Sequence, residues 1–123
     1  MSILSASGYH ARMSIVVINF DGEIEDFPVL VQSIDNLISG GTQRMVLDLD
    51  SLPFINSAAL GYLIKVQKSM RKGGGEVVLT RLRPALKNIL EMTQLDQVFP
   101  AFDSTEEAIA YHGGHEVRQH EWR

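Results

Sequence analysis

Three short apolar runs, separated by stretches of helical period, constrain this chain more than any other feature. Ser14–Phe20 (Ser-Ile-Val-Val-Ile-Asn-Phe) is β-branched and almost continuously apolar, as expected of a strand covered on both faces. Leu47 and Leu49 fall at strand spacing, and Pro53 interrupts any continuation. Val77-Val78-Leu79 reads as a third, short buried strand. Between the first two runs, Phe27, Leu30, Val31, Ile34, Leu37 and Ile38 recur at helical spacing until Gly40-Gly41 ends the pattern. Between the second and third, Ala59, Leu60, Leu63, Ile64, Val66 and Met70 supply the buried face of another helix. Strands alternating with helices imply an α/β fold with a mostly parallel sheet and right-handed crossovers.

The remaining chain fits around this frame. Ile3–Ser7 is weakly strand-like, and Gly8-Tyr9-His10 and Asp21-Gly22 read as turns. Asp26 is the expected cap of the first helix, with Pro28 in its opening turn. Lys65, Lys68, Arg71 and Lys72 crowd the second half of the next helix, matching the negative end of its dipole, and Gly73-Gly74-Gly75 stops it. Pro84 opens a third helix carrying Leu86, Ile89 and Leu90. Val98–Phe102 is expected as a last strand, placed at an edge by Pro100. Ser104 and Glu107 form a capping box before Ala108, Ile109 and Tyr111. The domain is expected over 1–112, with 113–123 a polar, flexible C-terminal tail.

Charge and composition narrow the function classes. Lys+Arg number 11 against Asp+Glu 15, a formal charge of -4, so no basic surplus exists to neutralise phosphates and no nucleic-acid partner is expected. The absence of cysteine excludes disulfides, thiol nucleophiles and cysteine metal sites. No segment approaches the roughly 20 apolar residues of a membrane span, so no membrane insertion is expected, and the default location is cytoplasmic.

The stretch Leu47–Gly61 reads as strand, turn and helix. Asn56 is a favoured N-cap, which puts Ser57 at or beside the first helical position with its hydroxyl toward solvent. The free N–H groups and the positive end of the dipole favour an anion there. A phosphate could be added at this point without unfolding the domain.

Leu49-Asp50 followed by Phe54-Ile55-Asn56-Ser57-Ala58-Ala59-Leu60-Gly61 resembles the signature of the STAS domain of anti-sigma factor antagonists, which runs strand, then Phe-(Ile/Met)-Asp-Ser-(Ser/Thr)-Gly-Leu, then helix. Gly22-Glu23-Ile24-Glu25 resembles the family's Gly-Glu-Leu-Asp turn. Leu86–Leu90, Thr93-Gln94-Leu95, Val98-Phe99 and Ser104–Ala108 follow its C-terminal third, so the resemblance runs from Ile3 to Tyr111. Asn56 departs from the usual Asp, Ala58 from Ser or Thr, and Ala59 from Gly. Asn caps as well as Asp but removes a carboxylate beside the hydroxyl. Ala59 strengthens the helix by up to ~1 kcal/mol, at a cost only if a partner's backbone must approach the methyl. Ala58 leaves Ser57 with no adjacent hydroxyl competing for phosphate.

The resemblance implies a single STAS-like domain with a mixed, mostly parallel sheet of four or five strands and about four helices, the first strand antiparallel. It implies phosphorylation at Ser57 and partner contacts at Glu25, Asn56, Ser57, Ala58 and Gly61. The implied partners are an anti-sigma factor serine kinase, bound by the unphosphorylated form, and a serine phosphatase that restores binding. The ATP chemistry would be the partner's, with no cofactor, metal or catalytic residue here. A second reading is a constitutive STAS subunit of a transporter or larger assembly, never phosphorylated. A third is an enzyme or small-ligand carrier on the same scaffold. Against the third, the three glycines lack the lysine of a phosphate-binding loop. Asp48 and Asp50 have no further ligand spacing. His112, His115 and His120 belong to or adjoin the polar tail, where solvated side chains are expected. No Gly-x-Ser-x-Gly elbow occurs.

Overall fold

A computed structural model describes residues 14–113 and 116–123. Strands β1 (Ile15–Asn19), β2 (Arg44–Asp48), β3 (Glu76–Thr80), β4 (Ala101–Phe102) and β5 (Val117–Gln119) form one sheet in the order β4-β3-β2-β1-β5. Helices α1 (Phe27–Ser39), α2 (Ser57–Lys72), α3 (Pro84–Met92) and α4 (Thr105–Tyr111) connect or flank them. Every pairing among the described strands is parallel. The antiparallel first strand expected at Ile3–Ser7 lies outside the described residues.

Alternation within the strands divides the core in two. Val16, Ile18, Met45, Leu47, Val77 and Leu79 face the main cluster beneath α1, α2 and α3, while Ile15, Val17, Val46 and Val78 meet Ala108 of α4 on the other side. Coverage of both faces explains why these strands read as continuous apolar runs. Ile15 pairs with Arg44 and Arg44 with Glu76, so the central strands end level. Asn19, Asp48 and Thr80 therefore share one rim, and the turn leading to Ser57 leaves from it.

Four expectations need correction. Asp26 makes no side-chain bond to the start of α1. Its carboxylate instead accepts the Glu23 N–H at 2.9 Å, closing the 3-10 turn Ile24–Asp26 that precedes the helix. The strand expected over Val98–Phe102 shrinks to two residues, because Leu95–Gln97 turns as a 3-10 helix and its coil extends to Val98.

The third correction is larger. Within the segment expected as a flexible tail, β5 adds to the sheet beside β1, with the Ile15 N–H bonded to the Glu116 carbonyl and His120 N–H to that of Val17. Trp122 is buried in the main cluster. One aromatic ring with a large apolar area, together with the pairing that β1 offers to β5, outweighs the polar residues around it. His112 is partly buried rather than fully solvated. Burial pushes its imidazole pKa down from the usual value of 6.5, and its Nε2 lies 3.1 Å from the Met45 carbonyl oxygen. His120 is partly buried, and His115 falls outside the described residues.

The sign of the His112 effect follows from linkage. The unfolded chain binds this proton more readily than the folded one, so the contribution to stability is complete above the unfolded pKa and is lost as pH falls below it. The melting temperature of the wild type should therefore fall more steeply than that of His112→Gln as pH drops below about 6.5. Parallel curves for the two proteins would remove His112 from the acid response.

Candidate functional site

Ser57 is the first residue of α2 and is exposed. Asn56 sits in extended backbone, and its Oδ1 accepts the Ala59 N–H at 2.8 Å, the geometry that an N-cap requires. No acidic residue occupies the first turn, so nothing on the helix itself offsets the positive end of its dipole. An anion at the Ser57 hydroxyl would meet this end directly.

The loop feeding the helix is held at several points. Asp48, nearly buried at the end of β2, accepts the Asp50 N–H at 2.9 Å through Oδ1 and the Arg81 Nε–H at 2.8 Å through Oδ2. Arg81 Nη2 also lies 3.8 Å from Asp50 Oδ2. The Arg83 Nε–H reaches the Asp50 carbonyl oxygen at 2.6 Å. The Ser51 hydroxyl lies 2.7 Å from the Phe20 carbonyl oxygen and 2.8 Å from that of Gly22, donating to one at a time. Asp48 is thereby committed to an arginine and a backbone amide. Among the described residues no group of three or more His, Asp or Glu is placed to hold a metal ion, and no helix is long and apolar enough to cross a membrane.

Two grooves flank the loop. One, of about 360 Å³, is lined by Glu25, Phe27, Val31, Asn56, Ala58 and Tyr62, among others. The Tyr62 hydroxyl donates to Asp35 at 2.8 Å, and burial, reinforced by Asp35, keeps its pKa well above the usual phenol value. The second groove, of about 330 Å³, runs between Glu23, Glu25, Ser51, Phe54 and Arg83. Glu25 lines both.

The fold thus brings Glu25, Asn56 and Ala58 around one groove. Ser57 and Gly61, four residues apart on α2, share an exposed helix face beside it. A Cβ built on Gly61 meets no atom within 4 Å, so nothing in this chain requires glycine there. Ala59 is 4% exposed and belongs to the core. It also lines the groove beside Asn56 and Ala58, so its methyl forms part of the floor that a partner seated there would meet. Leu60 packs against the same core, as its apolar spacing suggested.

Phe54, Ser51 and Arg83 were not singled out from the sequence. Phe54 stands 49% exposed. An aromatic between Pro53 and a buried isoleucine, outside any helical or strand period, was the available signal. Arg83 carried none, because its bond to Asp50 spans 33 residues of sequence.

The family model described as the STAS domain matches residues 9–108. A protein of Bordetella bronchiseptica, BtrV, described as an anti-sigma factor antagonist, is 37% identical over 73 residues, which cover 59% of this chain and 63% of that protein. The anti-sigma F factor antagonist of Paenibacillus polymyxa is 24% identical over 98 residues, 77% of this chain and 84% of the other. Among solved structures, SpoIIAA in its unphosphorylated form superposes with a TM-score of 0.68 at 19% identity, covering 84% of this chain and 90% of that one. The phosphorylated form of the Bacillus cell fate determinant SpoIIAA gives 0.60 at 16%, with 81% and 91% covered. A sulfate transporter family protein of Wolinella succinogenes gives 0.65 at 20%, with 79% and 84% covered.

Proposed function

This chain belongs to the STAS domain family, and from that premise we propose that it is an anti-sigma factor antagonist whose binding is switched by phosphorylation at Ser57. The observation that carries this reading is the exposed Ser57 hydroxyl at a capped helix start, beside a groove formed by Glu25, Asn56 and Ala58. A phosphate adds about -1.5 to -2 charges and three strong acceptor oxygens. The helix end accommodates them, whereas a partner seated on the groove would have to desolvate a dianion. The unphosphorylated form binds an anti-sigma factor serine kinase and so frees a sigma factor. A serine phosphatase resets the protein. The protein is substrate and switch, and needs no cofactor of its own.

Intact-mass measurement on protein purified from its native host tests the reading. A phosphate present on the wild type and absent from Ser57→Ala is the expected result. Absence of phosphate under every growth condition, with capture of a transporter ATPase, would favour a constitutive subunit, the reading to which the Wolinella neighbour lends weight.

Gly61 supplies an independent check. Glycine inside a helix costs about 0.8–1 kcal/mol relative to alanine, yet the space above Gly61 is open. Gly61→Ala should therefore raise the unfolding free energy by roughly 0.5–1 kcal/mol while weakening kinase binding, because the methyl blocks close approach beside Ser57. Unchanged affinity would place the interface elsewhere.

A further inference from the structure

We propose that Trp122 is a positioning residue for the turn Gly22–Asp26, holding one wall of the Ser57 groove in register from outside the site. The inference rests on the interface reading above for its functional meaning, but its structural content stands on contacts that the reading does not use. Phe20 is the last buried residue before the turn. Its ring stands edge-on to Trp122, with centroids 4.8 Å apart, and edge-on to Phe27 at 6.2 Å; Phe27 in turn meets Tyr62 at 6.3 Å. A chain of four aromatic rings therefore runs from β5's flank to the groove wall formed by Phe27 and Tyr62.

The turn has little slack around this chain. A Cβ on Gly22 would come within 2.9 Å of both the Phe20 ring and Asp26 Oδ2, so the ring's position limits where the Gly22 backbone can lie. The Gly22 and Phe20 carbonyl oxygens are the two acceptors of Ser51, which ties the turn to the loop before Ser57. Trp122 is itself fixed on the far side, where its carbonyl oxygen accepts the Ser33 hydroxyl of α1. Side chains in a packed core leave few voids, so emptying one side of Phe20 displaces the ring or leaves a cavity. Either outcome loosens the Gly22 carbonyl, and with it the placement of Glu25 on the groove that Asn56 and Ala58 line.

Amide hydrogen exchange followed by NMR tests this in the protein alone. The reporters are the Glu23 and Asp26 amides, bonded to Asp26 Oδ2 and the Glu23 carbonyl at 2.9 Å each. The Val77 and Leu79 amides of β3 are the controls. Trp122→Ala should accelerate exchange at the reporters about tenfold, with the controls changing far less. Trp122→Phe, which restores a ring against Phe20, should recover most of the protection. If Trp122→Ala does not fold, Trp122→Leu replaces it, and the same contrast with Trp122→Phe decides. Reporter exchange that is unchanged, or accelerated by the same factor as the controls, overturns the proposal. Intact mass of Ser57 in the same preparations reads the phosphorylation switch separately, so loss of one result leaves the other interpretable.

Discussion

On the proposed reading, Ser57→Asp is expected to weaken binding of an anti-sigma factor kinase by about 100-fold, whereas Ser57→Ala should bind as the unmodified protein does. A charge forced into a desolvated contact without a partner typically costs 2–5 kcal/mol, and each 1.4 kcal/mol is tenfold in affinity. The same carboxylate at the first position of α2 faces solvent and the positive helix end in the free protein, where it is neutral to slightly stabilising. The melting temperature of Ser57→Asp should therefore equal or slightly exceed that of the wild type. Such an opposition between binding and stability would identify a switch that acts on association and leaves the scaffold in place. Titration of the three proteins against the kinase, with thermal unfolding of each alone, provides the measurement. Equal affinities for the Ala and Asp variants would remove Ser57 from the interface.

Gln67→Met should lower the unfolding free energy by about 3 kcal/mol. Gln67 is fully buried on the inner face of α2. Its amide oxygen accepts the Val77 N–H at 2.8 Å, and its Nε2 donates to the carbonyl oxygens of Val77 and Val98 at 3.0 and 2.9 Å. Methionine matches the volume but satisfies none of these groups. The Val98 carbonyl retains the Arg71 guanidinium at 2.7 Å, so the loss falls on both polar groups of Val77. A buried backbone group left without a partner costs roughly 1–3 kcal/mol. Gln67→Glu offers an acceptor when ionised and gains a donor only by protonation, so it should recover stability as pH falls but remain below the wild type at neutral pH. Denaturant unfolding of the variants measures the difference, and a loss below 1 kcal/mol would mean that water or a backbone shift replaces the amide.

The helices and central strands were legible because each has its own period. Phe27 to Ile38 and Ala59 to Met70 repeat at helical spacing, and Ile15–Ile18 and Val77–Leu79 are apolar on both faces. Asn56, Pro84 and the Ser104–Glu107 pair marked helix starts through bonds made within a few residues. These are local interactions, and local sequence suffices to specify them. Asp26 was misassigned for the same local reason: the residue type suits a cap, but its carboxylate closes the preceding turn instead.

What the chain determined by itself was the alternation of elements, the helix opening at Asn56 and the exposed hydroxyl that follows it. What only the tertiary structure decided was which distant residues meet there. Arg83 reaches Asp50, Ser51 reaches Gly22, Gln67 reaches Val98, and Trp122 closes on Phe20. Each of these contacts joins residues ten or more positions apart, where no period or cap links the partners. Segment 116–123 shows the physical reason most clearly. Its polar composition disfavours a core by itself, but the side of β1 away from β2 and the apolar side of Phe20 offer a strand pairing and a ring contact that exist only once the sheet has formed.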